Sequence, residues 1–241
     1  FGCVVPHAGY VFSGATAACA YKSLPKKLEK KTFIILGVDH AGNALGASVF
    51  SRGSWGTPLG NVRVDEAVAK KLLNSSELFK DDQHAHAQEH SIEVQIPFLQ
   101  CRFNNFKIVP VSLSSFLDFR ALKEISGCLP DDCYVIASSD LTHHGARYGY
   151  TPFAGGRMDI VAQIKKMDKR IISYIAGCNM RLLGGFMRNT GNTTCGVMPI
   201  NVLCEKMKRM ERKGRLLDYA TSFGVSKDIS GVVGYASIIF K

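Results

Sequence analysis

No stretch of this sequence approaches the ~20 uninterrupted apolar residues that a membrane-spanning helix needs. The first residues also lack the charged segment, the apolar segment and the small-residue cleavage site of a secretory signal peptide. These absences exclude a membrane-spanning helix and give no sign of export. We therefore expect a soluble, cytoplasmic protein without a membrane partner.

Cysteine pairs with the CxxC spacing are also absent, and the eight cysteines are scattered along 241 residues. This pattern excludes a disulfide scaffold, so most of the cysteines are expected to be reduced and buried. The sequence has no internal repeat, low-complexity tract or Pro/Ser-rich linker. Because 46% of the residues are hydrophobic, the chain can form one sizeable core, and we predict a single domain over residues 1–241.

Acidic residues are scarcer than basic ones: the sequence has 20 Asp and Glu against 30 Lys and Arg, and the formal net charge is +10. The excess of lysine and arginine is concentrated in Lys22–Lys31, Lys165–Arg170 and Lys206–Arg215. These clusters lie on predicted helices or their flanking loops and contain no interleaved aromatic residues, unlike a nucleic-acid groove. We interpret them as solvated faces, with nucleic-acid binding as the weaker alternative.

Apolar runs with the length of strands alternate with segments of helical spacing. Continuous runs are typical of strands buried on both faces, and the alternation is typical of a mainly parallel sheet covered by helices. We predict an α/β fold of three layers, in which a mainly parallel or mixed central sheet has helices on both faces. The predicted strands are Phe33–Val38, Phe106–Leu113, Tyr134–Ala137, Arg215–Thr221 and Val232–Phe240, and the predicted helices are Asp65–Leu73, Ile92–Cys101, Phe116–Cys128, Met158–Ile175 and Val197–Met210.

Histidines follow three separate predicted strands. His7 comes directly after the run that ends at Pro6, His40 follows the second run, and His143 follows a third. The carboxyl ends of parallel strands share one edge of the sheet, so the sequence predicts that these side chains line one pocket. For each histidine the alternative is a hydrogen-bonded structural role, and His144 is expected to be an exposed loop residue.

The segment DDQHAHAQEHSIEVQIPFL contains the other three histidines. His90 and Glu93 are three residues apart and are expected to share one face at the start of a helix. His84 and His86 lie in a polar stretch typical of a surface loop, so we assign them no role. Asp140, three residues before His143, either belongs to the pocket or caps the turn after its strand.

A Gly/Asn/Thr-rich loop places Cys195 just before the predicted helix that starts near Val197. A helix N-terminus favours a thiolate and lowers its pKa, so Cys195 is a candidate metal ligand or nucleophile. A small buried residue in a tight loop is the alternative.

Together these motifs resemble the Memo-like family, which includes the archaeal and bacterial proteins called AmmeMemoRadiSam system protein B. That family is similar in fold to the class III extradiol ring-cleavage dioxygenases. The resemblance runs from Cys3 to Phe240 and implies a further N-terminal segment, which we expect to lie upstream of the sequence given. The motifs that carry it are PHAGYVFSG, FIILGVDH, WGTPLGNVRVD, EHSIEVQIPFL, FKIVPVSL, SSDLTHHG, NTTCGVMPINVL and GYASIIF.

The resemblance implies a metal site formed by His7, His40 and Cys195. In the related dioxygenases the third ligand is a carboxylate and the metal is non-heme iron(II). The Cys195 thiolate is a softer anionic donor, so we expect a divalent transition metal, iron foremost, with zinc and copper as alternatives. The sequence departs from the family at Val38 and Asp39, where Pro and a small polar residue are usual. Asp39 either orients the ring of His40 or caps the turn.

The resemblance also implies that His143, His90 and Asp140 line the open side of the metal site, with His143 as acid and base. This arrangement predicts a redox or oxygen-dependent enzyme acting on an unknown small molecule. The alternatives are a non-enzymatic module that binds a peptide or a phosphorylated group in the same cleft, and nucleophilic chemistry by Cys195.

Overall fold

The computed structural model describes all residues from 1 to 241 and contains eleven strands and eight α-helices. The strands are β1 (Gly2–Val5), β2 (Thr32–Val38), β3 (Ala47–Val49), β4 (Ser54–Thr57), β5 (Gly60–Arg63), β6 (Phe79–Asp81), β7 (Lys107–Leu113), β8 (Tyr134–Ser138), β9 (His143–His144), β10 (Gly214–Thr221) and β11 (Val232–Phe240). The helices are α1 (Tyr10–Ser23), α2 (Glu66–Leu73), α3 (Ile96–Arg102), α4 (Phe119–Cys128), α5 (Arg157–Ala176), α6 (Met180–Thr190), α7 (Val197–Arg209) and α8 (Phe223–Ser226). No helix has both the length and the apolar character needed to cross a membrane.

Nine of the strands form one mixed sheet in the order β10-β11-β1-β8-β2-β7-β3-β6, with β9 paired to β11. The inner strands β1, β8, β2 and β7 are parallel to one another, whereas β11 and β3 pair with them antiparallel. Strands β4 and β5 form a separate hairpin. The predicted α/β fold with a mainly parallel or mixed sheet is confirmed.

Helices cover both faces of this sheet because its inner strands are apolar on both sides. In β2, Ile34 and Leu36 face one core, and Phe33 and Ile35 face the other. The larger core contains residues of α2, α4, α5, α6 and α7, and the smaller core contains residues of α1 and α3. This is the three-layer arrangement that continuous apolar strands predict.

The helix boundaries differ from the predicted ones where local capping decides them. The predicted helix from Phe116 begins at Phe119, because the Asp118 side chain accepts a hydrogen bond from the Ala121 amide at 2.7 Å and caps the helix there. The predicted helix from Ile92 is a short 3₁₀ turn followed by α3. Helix α1 was not predicted, because small residues make up most of its buried face and leave no apolar periodicity.

A buried carboxyl group on α5 holds the loop after β8 through hydrogen bonds. Asp168 on α5 is fully buried and accepts hydrogen bonds from the Thr142 amide and hydroxyl and, at 2.7 Å, from the Tyr219 hydroxyl. A Cβ at Gly234 would lie 1.9 Å from Asp168 Oδ2, so glycine is required at that position of β11. Burial raises the pKa of Asp168 to about 6.

Replacing Asp168 by Asn should change how stability depends on pH. In the wild-type chain the native state holds the Asp168 proton up to about pH 6, whereas the unfolded state loses it near pH 4. Wild-type stability therefore falls as the pH rises through this window, and Asp168→Asn escapes that loss. We expect the variant to gain about 2 kcal/mol relative to wild type between about pH 4 and pH 7.5, measured by urea unfolding of chelator-treated protein. Parallel pH profiles for the two proteins would contradict the assignment.

Candidate metal centre

Three histidine rings meet at the carboxyl edge of the parallel strands. The ring centroids of His7 and His40 are 5.3 Å apart, those of His7 and His90 are 5.5 Å apart, and those of His40 and His90 are 5.1 Å apart. One nitrogen from each ring lies within 4.8 Å of the others. His7 and His40 come together because β1 and β2 both flank β8 in parallel, so the loops after them leave the sheet side by side. His90 joins them from the segment before α3 and was not among the strand-end histidines predicted to converge.

Hydrogen bonds fix the protonation of the buried His7 ring. The Ser138 hydroxyl donates to the Ser91 carbonyl at 2.6 Å, so toward His7 Nδ1, 2.9 Å away, it acts as an acceptor. Nδ1 therefore carries the proton, and Nε2 keeps its lone pair. Burial, reinforced by the charges of His40 and His90, holds the pKa of His7 well below its usual value, so the ring is neutral near pH 7.

The ring of His40 is held by Glu89, a residue that the sequence reasoning missed. Glu89 Oε1 and Oε2 lie 3.0 and 3.1 Å from His40 Nδ1, and the carboxylate also accepts hydrogen bonds from the amides of His40 and Ser91 at 2.8 Å each. Burial raises the pKa of Glu89, but these hydrogen bonds outweigh it and lower the pKa to about 2. The ionised carboxylate fixes the proton of His40 on Nδ1 and raises the pKa of that ring.

Asp39 has the second of its two predicted roles. Its carboxylate accepts hydrogen bonds from the amides of Asn43 and Ala44 at 2.8 and 2.9 Å and caps the turn after β2. The orienting role belongs to Glu89, which lies in the motif QEHSIE directly before His90. That adjacency was the available signal, because carboxylates commonly orient metal-binding histidines.

His90 lies before the 3₁₀ turn rather than on a helix face shared with Glu93. Its side chain is 53% exposed, and its Nδ1 is 3.6 Å from Glu89 Oε1. The predicted i, i+3 pairing with Glu93 is wrong, because α3 starts only at Ile96. The ring instead stacks on His40, with an interplanar angle of 12°.

Cys195 approaches one ring of this cluster, that of His7, from the loop before α7. Its Sγ is 3.2 Å from His7 Nε2 and accepts a hydrogen bond from the Asp140 amide at 3.3 Å. A Cβ at Gly196 would lie 2.3 Å from Ser139 Cβ, so glycine is needed for this close approach. Burial and the charge of Asp140 raise the pKa of the Cys195 thiol, so the predicted lowering by the helix N-terminus is wrong.

Asp140 and His143 border the cluster from the loop after β8. Asp140 is buried, and its Oδ1 accepts hydrogen bonds from the amides of His7 and Ala8 at 2.8 and 3.3 Å. Burial raises the pKa of Asp140. His143 Nδ1 lies 2.9 and 3.1 Å from the carbonyl oxygens of Leu141 and Thr193, so it carries the proton and leaves Nε2 as the acceptor. Burial lowers the pKa of His143, while the charge of Asp140 opposes this effect.

Two other histidines lie in places that the sequence did not predict. His144 is buried and pairs with Val232 as part of β9, so it is not an exposed loop residue. His86 is buried as well, donates from Nε2 to the Ser48 carbonyl at 3.1 Å and packs against Trp55. Neither residue belongs to the cluster.

The three imidazole nitrogens that converge at this edge fit a metal ion. A sulfur at ~2.3 Å and a nitrogen at ~2.1 Å from one ion are about 3.1–3.6 Å apart at angles from a right angle to tetrahedral. The 3.2 Å between Cys195 Sγ and His7 Nε2 lies in that range, and it is also the length of a hydrogen bond from the Cys195 thiol to the Nε2 lone pair. Imidazole nitrogens and a thiolate are donors that transition metals prefer.

Comparison with known proteins shows the family of the chain. The chain is 38% identical to a MEMO1 family protein of Pyrococcus abyssi, over 99% of this chain and 86% of that protein, and 39% identical to a MEMO1 family protein of Methanobrevibacter smithii, over 99% and 82%. The fold is similar to that of an uncharacterized protein of Escherichia coli K12, with a TM-score of 0.58 at 10% identity and 98% coverage of both chains. The family model described as Memo-like protein matches residues 1–239, and the chain belongs to that family.

Proposed function

We propose that the chain holds a divalent transition metal, iron foremost, through His7, His40 and Cys195, and serves a redox or oxygen-dependent reaction of a small molecule. The observation that carries this proposal is the contact of Cys195 Sγ with His7 Nε2, beside a His40 ring oriented by Glu89. Zinc and copper are the alternative metals for the same donors.

Cys195 is a better third ligand than His90. As a thiolate it offsets the charge of a divalent cation, whereas a third imidazole leaves that charge uncompensated. The His90 side chain is half exposed, and its Nδ1 lies 3.6 Å from the carboxylate it faces. His90 therefore lines the open side, where a substrate enters.

Glu89 prepares His40 for this role. Because its carboxylate accepts the Nδ1 proton, the Nε2 lone pair of His40 is the one left for the metal. The same carboxylate increases the basicity of the ring and thus strengthens it as a donor. The Ser138 hydroxyl orients His7 in the same way without adding charge.

His143 is the residue suited to proton transfer. Two backbone carbonyls hold its Nδ1 proton, so Nε2 can accept a proton from a substrate hydroxyl and later return it. Asp140 stabilises the protonated ring by its negative charge. A bound iron(II) would supply Lewis acidity and one-electron redox chemistry at positions left open by its ligands.

The two alternative functions fit the site less well. A phosphorylated group or an acidic peptide in this cleft would face the carboxylates of Glu89 and Asp140, which repel it unless a cation is bound. Nucleophilic chemistry needs a thiolate, yet burial and Asp140 raise the pKa of Cys195.

Substituting Glu89→Gln should weaken metal binding by about 10–100-fold, because the ionised partner of His40 is lost. The matched control is Glu93→Gln, which changes a carboxylate that has no contact with the rings and should leave affinity unchanged. Competition with a chromophoric chelator measures both. Equal losses in the two variants would contradict the orienting role of Glu89.

Cobalt(II) distinguishes the two candidate third ligands. Wild-type protein loaded with cobalt should show a near-ultraviolet thiolate-to-cobalt charge-transfer band, which Cys195→Ser loses and His90→Gln retains. Cys195→Ser should also bind cobalt more weakly, because a neutral hydroxyl replaces an anionic soft donor. If the wild-type complex lacks the band and His90→Gln loses the metal, three histidines form the site instead.

Oxygen uptake tests the reaction. Iron-loaded protein supplied with catechol-like substrates should consume oxygen, and His143→Gln should reduce the rate by about 100-fold or more while keeping its iron. His84→Gln, an exposed histidine outside the cluster, is the control and should leave the rate unchanged. Absence of uptake by fully iron-loaded wild-type protein with every substrate in the panel would contradict this reaction class.

A further inference from the structure

A groove of about 500 Å³ lies between α4, α6 and the first turn of α7, outside the metal centre. Its walls are mostly apolar, and nearby apolar side chains remain in solvent: Phe119 is 54% exposed and Leu182 is 52% exposed. Phe116, in the loop before α4, is 91% exposed. Exposed apolar side chains around a groove are typical of a binding surface. The apolar residues that line it are Leu117, Phe119, Leu122, Met180, Val197 and Met198.

The charged residues that line this groove are both basic. Arg181 and Arg188 lie on its α6 wall with Gly184 between them, and no acidic residue lines it. Neither arginine forms an ion pair or a side-chain hydrogen bond within the chain, and both are exposed. Gly184 and Gly185 leave the middle of α6 without side chains, so a backbone can approach closely there.

We propose that this groove binds an acidic amphipathic helix of a partner protein, with its apolar face on the groove and its carboxylates on Arg181 and Arg188. Helix-in-groove recognition uses such a pairing of apolar anchors and flanking charges. A second copy of this chain fits poorly, because it carries a net charge of +10 and the same two arginines.

The groove adjoins the metal centre but does not depend on it. Val197, on the groove wall, is two residues beyond Cys195, so a bound helix would cover the outer side of the loop that carries this cysteine. The interaction goes beyond the proposed function. It is testable in metal-free protein, so its failure and a failure of metal binding are separate results.

Two neighbouring glycines provide matched variants. A Cβ at Gly184 would meet Arg188 Nη1 at an ordinary 3.5 Å, and a Cβ at Gly185 meets open space. Gly184→Glu places a side chain and a negative charge in the groove, whereas Gly185→Glu adds the same charge about a quarter-turn around the helix. Glutamate favours helix more than glycine does, so both variants should fold, which circular dichroism verifies.

The probe is a fluorescein-labelled synthetic helix with leucines on one face and glutamates on the other, measured by fluorescence anisotropy. We expect the wild-type protein to bind this peptide. Gly184→Glu and the double variant Arg181→Glu/Arg188→Glu should each weaken binding about tenfold or more, whereas Gly185→Glu should leave it unchanged. A peptide with lysines in place of the glutamates should bind much more weakly.

Four results would overturn the proposal. They are no binding of the acidic probe, equal binding of the lysine peptide, equal loss in the two glycine variants, and self-association of the protein that Gly184→Glu abolishes. The last result, measured by sedimentation in the absence of probe, would make a second copy the occupant of the groove.

Discussion

The site depends on the parallel pairing of β1, β8 and β2. The register sets Val5 beside Ser138 and Leu36 beside Ala137, so the three strands leave the sheet at one level. Residues more than a hundred positions apart in sequence, such as His7 and Ser138, are thereby brought within hydrogen-bonding distance. Apolar burial on both faces of these strands fixes the register, because any slip would move core side chains out of place. The chemistry at the edge therefore rests on packing in the core.

Packing alone places rings but does not decide which nitrogen faces the site. In His7, His40 and His143 the Nδ1 atom faces an acceptor, supplied in turn by a hydroxyl, a carboxylate and two carbonyl oxygens. All three rings therefore present an unprotonated Nε2 when neutral. Because the acceptors belong to the fold, the donors are aligned before any metal or substrate arrives, which lowers the entropic cost of binding it. Burial also lowers the pKa of the His7 ring and so keeps it neutral.

The sequence predicted those parts of the molecule that follow from periodicity and topology. Strand-end positions were sufficient to predict that His7 and His40 meet at one edge, because that convergence needs only the direction of the strands. His90, the third ring of the cluster, does not follow a strand and lay outside that prediction. Glu89 was missed although its position directly before His90 offered a signal, because its contact with His40 depends on how the segment after β6 folds back onto the end of β2. The burial of His144 was missed for a related reason: the two-residue strand β9 exists only because β11 lies beside it. Contacts between distant segments, rather than local propensity, decide such residues.

The charges around the three rings also favour a bound cation. Glu89 is ionised, and burial raises the pKa values of both Asp140 and the Cys195 thiol. Three acidic groups thus lie near the neutral His7 ring. Burial disfavours the charged forms of two of them, Asp140 and Cys195. A divalent cation bound between the rings would reverse that balance, because it favours the thiolate and the carboxylate over their protonated forms. The same cation would compete with a proton for His40 Nε2 and so oppose the rise in the pKa of this ring that Glu89 causes. One cation would thus bring the acids and the bases of this cluster toward the forms that bind a metal, which supports the proposed metal site.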